Sequence, residues 1–176
     1  MSSGIPSVVM VTGAYYPELS GAGLQCRALI RAFGDRVRCR VLTTAVDPAL
    51  PAVDVVDGVP VRRVLVSAVS RAARALAAPQ LLVETVRAAR AADIVHLHGF
   101  SAKSRLIVAV ARLLRKRVVI KLTSVGHSRK LHERIPGSTL IECDDAGHMV
   151  MIERHGQVNA DLDQLLSAAA ERVEQW

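Results

Sequence analysis

Short apolar runs alternate with longer amphipathic stretches along this chain, and the alternation predicts its elements in order. Ser7–Thr12 is a compact apolar run ending at Gly13, the pattern of a buried strand. Gly21-Ala22-Gly23 opens a helix whose apolar positions recur over residues 24–33 and which Gly34 closes. Residues 38–44 form the second strand. Two further runs, 53–56 and 59–66, flank Asp57-Gly58, a strong two-residue hairpin signal. An Ala-rich helix follows over 67–91, broken or kinked by Pro79. Then come a strand at 93–97, a helix at 101–115 and a strand at 118–122. Beyond these, the pattern predicts a helix at 127–134 stopped by Pro136-Gly137, a strand at 139–143 and a last helix over about 157–173. Strands and helices alternating at this length indicate right-handed βαβ units. The fold class is α/β, with a mostly parallel sheet and helices on both faces.

Composition narrows the function classes. The 176 residues suit one domain of about 100–200 residues. No apolar run approaches the ~18 residues that span a bilayer. The N-terminus lacks the basic flank and long apolar stretch of a secretory leader, so the expected location is cytoplasmic. Cys26, Cys39 and Cys143 show no CxxC spacing, which argues against a disulfide framework or a zinc site. No metal and no cofactor is expected.

Charge is divided unevenly. Residues 1–126 carry 18 Lys/Arg and 7 Asp/Glu, a net of +11, and residues 127–176 carry 5 and 9, a net of −4. Such asymmetry points to two different jobs or origins. Only 3 % of residues are aromatic, too few for base-stacking platforms, so nucleic acid is not an expected partner. Arg71, Arg74, Arg87 and Arg90 sit among alanines, as on a solvated helix face. The excess of cations fits phosphate-bearing substrates or peripheral contact with an anionic membrane.

Ligands of open parallel sheets bind at the carboxyl ends of strands. Gly21 and Gly23 precede a helix start, where free N–H groups and the helix dipole hold anions and a missing Cβ lets a diphosphate approach. Glycines that only shape a turn would look the same. His96 and His98 fall on one face of a strand by period two, with His98 at its end, followed by Gly99. A core histidine bonded to a carbonyl would also fit.

The series Val11-Thr12-Gly13, Tyr16-Pro17, Gly21-Ala22-Gly23-Leu24-Gln25, residues 93–100 and residues 117–123 resembles the N-terminal domain of retaining GT-B glycosyltransferases of the family 4 type. The likeness covers roughly residues 5–126 and implies a three-layer Rossmann-like domain on the acceptor side. By that likeness Gly23 faces the donor diphosphate and His98, with Gly99 beside it, meets the acceptor, while Ala22 stands where many members have glycine. A nucleotide-sugar and a phosphorylated or lipid-linked acceptor are the implied partners. That family holds its donor through two glutamates eight positions apart in a second domain. Eight positions beyond Glu133, Glu142 and Glu153 stand Ile141, Val150 and Asp161, so no such pair exists here.

Residues 127–140, Asp145-Ala146-Gly147-His148-Met149 and the helix beyond resemble the C-terminal end of α/β-hydrolases. The resemblance makes His148 the general base of a Ser-Asp/Glu-His triad. Its nucleophile is not evident, because the chain has no G-x-S-x-G. Ser101 occupies an elbow-like strand-to-helix turn, but Lys103 replaces the glycine that a tight turn needs, and a serine there also serves as a helix N-cap. His127, His132 and His155 lack metal-ligand spacing and read as surface residues.

The expectation is therefore a chimeric domain. Residues 1–126 form a glycosyltransferase-like acceptor half, and residues 127–176 a hydrolase-like tail completing the same sheet. Its expected function is ligand binding by an incomplete glycosyltransferase. A hydrolase using His148 and an inactive folded scaffold are the alternatives.

Overall fold

The computed structural model describes residues 5–67, 76–99, 102–122, 125–143 and 153–173. Among them, strands and helices alternate in the predicted order from Ser7 to Lys121. Strand β1 (Ser7–Thr12) leads to helix α1 (Gly21–Phe33), a short 3₁₀ turn, and β2 (Arg38–Ala45). The hairpin β3 (Val53–Val56) and β4 (Val59–Leu65) precedes α2 (Ala78–Arg90). Then follow β5 (Ile94–His98), α3 (Ala102–Leu113), β6 (Arg117–Lys121), α4 (Val125–Arg134) and α5 (His155–Val173).

The strands form one sheet in the order β3-β4-β2-β1-β5-β6. The pairs β1–β2, β1–β5 and β2–β4 are parallel, and the hairpin pair β3–β4 runs antiparallel. This is an α/β Rossmann-like fold. From β1 the chain works outward to one side through β2 and β4, then jumps back to lay β5 on the other side of β1. The strand order thus reverses between β1 and β5, and the carboxyl ends of those two strands flank a topological switch point.

Period two decides what each face buries. Val9, Val11, Leu42, Val64, Val95 and Leu97 point to one side, where Leu81 and Ala89 of α2 and Ile107, Val110 and Ala111 of α3 cover them. Their in-register alternates, including Val8, Met10, Val41 and Ile94, face the other way, and α1 packs there against β1 and β5. Each such aliphatic side chain contributes about 1.5–3 kcal/mol on burial. Polar anchors fix the covering layers. Glu84 of α2 receives Arg62 at 2.8 Å and Arg87 at 2.9 Å. Burial would raise the Glu84 carboxyl, but these two cations outweigh it and leave it below its ordinary value.

Three expectations need correction. Pro79 neither breaks nor kinks a helix. It stands in the first turn of α2, where a missing N–H costs nothing and its fixed φ suits the start. The remainder of the expected helix, residues 68–75, lies outside the described residues. The strand expected at 139–143 does not form, and the sheet's six strands all fall between Ser7 and Lys121 among the described residues. That segment instead returns along α4. Arg129 grips Glu142 through two contacts of 2.8 Å, and Ser138 Oγ lies 2.7 Å from His132 Nδ1. An apolar β-branched stretch becomes a strand only where another strand offers its edge. Finally, α4 starts two residues earlier than expected.

The chain resolves into two compact units, Met1–Ile120 and Lys121–Trp176. The first holds nearly the whole sheet, and the second holds α4 and α5. No helix among the described residues is long and apolar enough to cross a membrane.

Candidate functional site

The site is built at the carboxyl ends of β1 and β5, from the turns that follow each strand. After β1, the turn over residues 13–20 is held by the protein from several directions. Thr44 Oγ1 donates to the Gly13 carbonyl at 2.5 Å. Ser20 is the N-cap of α1: its Oγ accepts the Gly23 N–H at 2.9 Å and donates to the Ala14 carbonyl at 3.2 Å. Glu18 accepts the N–H groups of Val46 and Asp47 at 2.8 and 3.1 Å, tying the turn to the exit of β2.

Arg63 is the deepest of these pins. It stands on β4 at 2 % exposure, facing the α1 side in register with Thr43. Its guanidinium donates to the Tyr16 carbonyl at 2.7 Å, to Asp54 at 2.8 Å and to the Pro51 carbonyl at 3.2 Å. The Arg63 hydrogen bond holds the Asp54 carboxyl below its ordinary value. A buried cation with a paired carboxylate and two carbonyls is a costly feature that persists only in a fixed geometry. Tyr15 in the same turn is buried, and burial pushes its hydroxyl up to about 12. Tyr16 stays half exposed, with the Arg27 guanidinium 4.7 Å above its ring.

The two glycines expected to line the site do different things. A Cβ on Gly23 would lie 2.5 Å from the Ala14 carbonyl oxygen, and its N–H is already taken by Ser20. Gly23 is therefore required for the turn to close on the first turn of α1. Gly21 is exposed, with nothing within 4 Å of where a Cβ would stand.

At the end of β5, His96 and His98 lie on the α1 side of the sheet, as period two predicts. Their rings stack with centroids 4.4 Å apart and planes inclined by 29°. They are 2 % and 4 % exposed. Gly99 has φ of +91°, a region that disfavours any side chain, so the chain turns sharply as it leaves His98. Beyond that turn, Lys103 in the first turn of α3 donates to Thr44 Oγ1 at 2.8 Å. Burial pushes its ammonium down to about 8.

The structure thus gathers Gly21, Gly23, His98 and Gly99 at one end of the sheet. Ser101 and His148, the residues of the hydrolase alternative, both lie outside the described residues. Among the described residues no three His, Cys, Asp or Glu side chains cluster closely enough to hold a metal. Sequence reasoning missed Arg63, Glu18 and Lys103 as shapers of this end. Ser20 carried a readable signal, a serine immediately before a helix start. Arg63 carried a fainter one, a charge at an inward position of an alternating strand.

The family model for the glycosyl transferase 4-like domain matches residues 20–173. The chain belongs to that family. The matched range includes Gly21, Gly23, His98 and Gly99 and runs on through residues 127–173. Among solved structures, this glycosyl transferase 4-like domain is similar to sucrose-phosphate synthase from Thermosynechococcus elongatus. That match has a TM-score of 0.46 at 14 % identity and covers 76 % of this chain. The domain spans 36 % of the length of that synthase chain. No curated protein matches it significantly.

Proposed function

We propose that this chain is the acceptor-side half of a glycosyltransferase and binds a phosphate-bearing sugar ligand in the crevice beyond β1 and β5. The observation that carries the reading is the meeting of the Gly13–Gly23 turn and the His98–Gly99 turn at the switch point, the place where open α/β sheets hold ligands. Family membership supports a sugar-related substrate. In this reading Gly21 and the amides of the first α1 turn face the donor diphosphate, Gly23 shapes that turn, and His98 contacts the acceptor. Transfer of the sugar requires a donor-binding domain, in the same polypeptide or in a partner, to hold the nucleotide. Apolar side chains at the same end of the sheet, Leu19 at 74 % exposure with Leu24 and Val46, suit an acceptor that carries a lipid.

Thermal melting of the chain with millimolar UDP, GDP, their sugars and, for the acceptor side, glucose 6-phosphate tests this. A ligand at 100 times its Kd adds about 2.7 kcal/mol and raises the midpoint by several degrees. The expected result is a rise that His148→Ala leaves intact, and His98→Ala abolishes the rise with glucose 6-phosphate. A sharp melt that no ligand moves contradicts the proposal. Labelling by a serine-directed phosphonate that vanishes in Ser101→Ala would replace it with the hydrolase alternative.

A further inference from the structure

Lys103 is a cation in an unusual place. Its backbone follows β5, its ammonium reaches Thr44 on β2, and β1 lies between those two strands. Neighbouring strands stand about 4.8 Å apart, so the side chain lies across the carboxyl end of β1 rather than alongside its own strand. Thr44 Oγ1 spends its own proton on the Gly13 carbonyl, the first peptide beyond β1, and offers Lys103 a lone pair. The ammonium is therefore fixed at the mouth of the switch point by a neutral hydroxyl.

What Lys103 lacks is a counter-charge. Three cations of the neighbouring strands and helix have carboxylates: Arg63 has Asp54, Arg62 has Glu84, and Arg27 has Asp57. No carboxylate pairs with Lys103 among the described residues, and its lowered proton affinity has burial as its whole cause. A partly buried ammonium with two N–H bonds to spare is costly to maintain and is repaid when an anion arrives. A glutamine or methionine of similar length would fill the same space without that cost.

We infer that Lys103 is a binding residue for a phosphate group of the ligand in this crevice, held in position by Thr44. This rests on the proposed function and deepens it by naming the charged contact. His98 and Thr44 face opposite sides of the sheet, so the imidazole and the ammonium approach the crevice from its two sides. The phosphate belongs either to a nucleotide diphosphate or to a phosphorylated acceptor.

Calorimetric titration of the full chain with UDP and with glucose 6-phosphate, each beside its uncharged counterpart uridine or glucose, separates the two. The expected result is that one phosphate probe binds the wild type and binds Lys103→Gln about tenfold or more weakly, with Lys103→Arg retaining most of the affinity. The probe that loses affinity identifies the source. Circular dichroism and a cooperative melt of Lys103→Gln establish that it folds. Equal binding by wild type and Lys103→Gln, with loss in His98→Ala, overturns this inference and leaves the proposed function standing. A wild type that binds neither phosphate probe overturns both.

Discussion

The two turns that meet at the switch point are built on opposite terms. After β1, the chain's own atoms occupy the glycine that looks most like a ligand contact: the Ala14 carbonyl fills the space of a Gly23 side chain, and Ser20 takes its N–H. Arg63 and Glu18 fasten the same turn from β4 and toward β2. After β5, the chain instead delivers a histidine at the strand end, a sharp glycine turn and a lysine that no carboxylate among the described residues pairs. One turn is a frame, and the other carries the side chains to which the proposed recognition falls. The lesson is that a glycine-rich turn before a helix states where a backbone comes close, and the partner in that approach can be the protein itself.

Substitutions can break that contrast, and Gly23→Val is the most severe. A side chain 2.5 Å from a carbonyl forces the turn off the helix, so a loss of about 1–3 kcal/mol is expected in urea denaturation. Native stability with selective loss of UDP binding would instead make Gly23 a ligand contact and erase the distinction. Gly99→Ala probes the second turn. Its φ of +91° costs any other residue on the order of 1–2 kcal/mol, so the melting midpoint should fall by several degrees. An unchanged midpoint would mean that the turn after β5 relaxes freely.

A smaller effect is expected from Ser20→Ala, which removes the cap of α1 and should cost about 1 kcal/mol in the same denaturation. Smallest of all is Asp57→Asn, in the hairpin turn away from the crevice. Arg27's hydrogen bond, aided by the charges of Arg27 and Arg31, lowers the Asp57 carboxyl to about 2. A depressed carboxylate stabilises the fold above its unfolded value near 3.8, and that stability disappears as pH falls through about 2. Wild type and Asp57→Asn should therefore differ slightly at neutral pH and converge in acid. Asparagine tolerates the left-handed φ of +52°, so the turn survives and ligand binding should not change.

Much of this was legible in the chain because local pattern and tertiary demand agree in the first unit. Period two over Ile94–His98 placed both histidines on one face, and Asp57-Gly58 gave a hairpin whose two turn residues both have positive φ. Residues 139–143 misled because strand propensity says nothing about an available edge, and Arg129 with Glu142 directs that stretch elsewhere. Arg63 and Lys103 were hidden for a different reason. A charge in an alternating pattern usually faces water, and only the three-dimensional register reveals that one lies under a turn and the other across a strand end. The role of Gly23 was out of reach likewise, since nothing in the sequence locates the Ala14 carbonyl.

In the proposed function, ligand is held at the carboxyl ends of β1 and β5. Amide chemical-shift mapping by NMR, during titration of the full chain with UDP and glucose 6-phosphate, tests it most directly. Shifts are expected at Gly13, Gly21, Ala22, Gly99 and Lys103, with Arg38 and Ile94 at the amino ends of β2 and β5 unmoved. Shifts at those amino ends, or none anywhere at saturating phosphate, would contradict it.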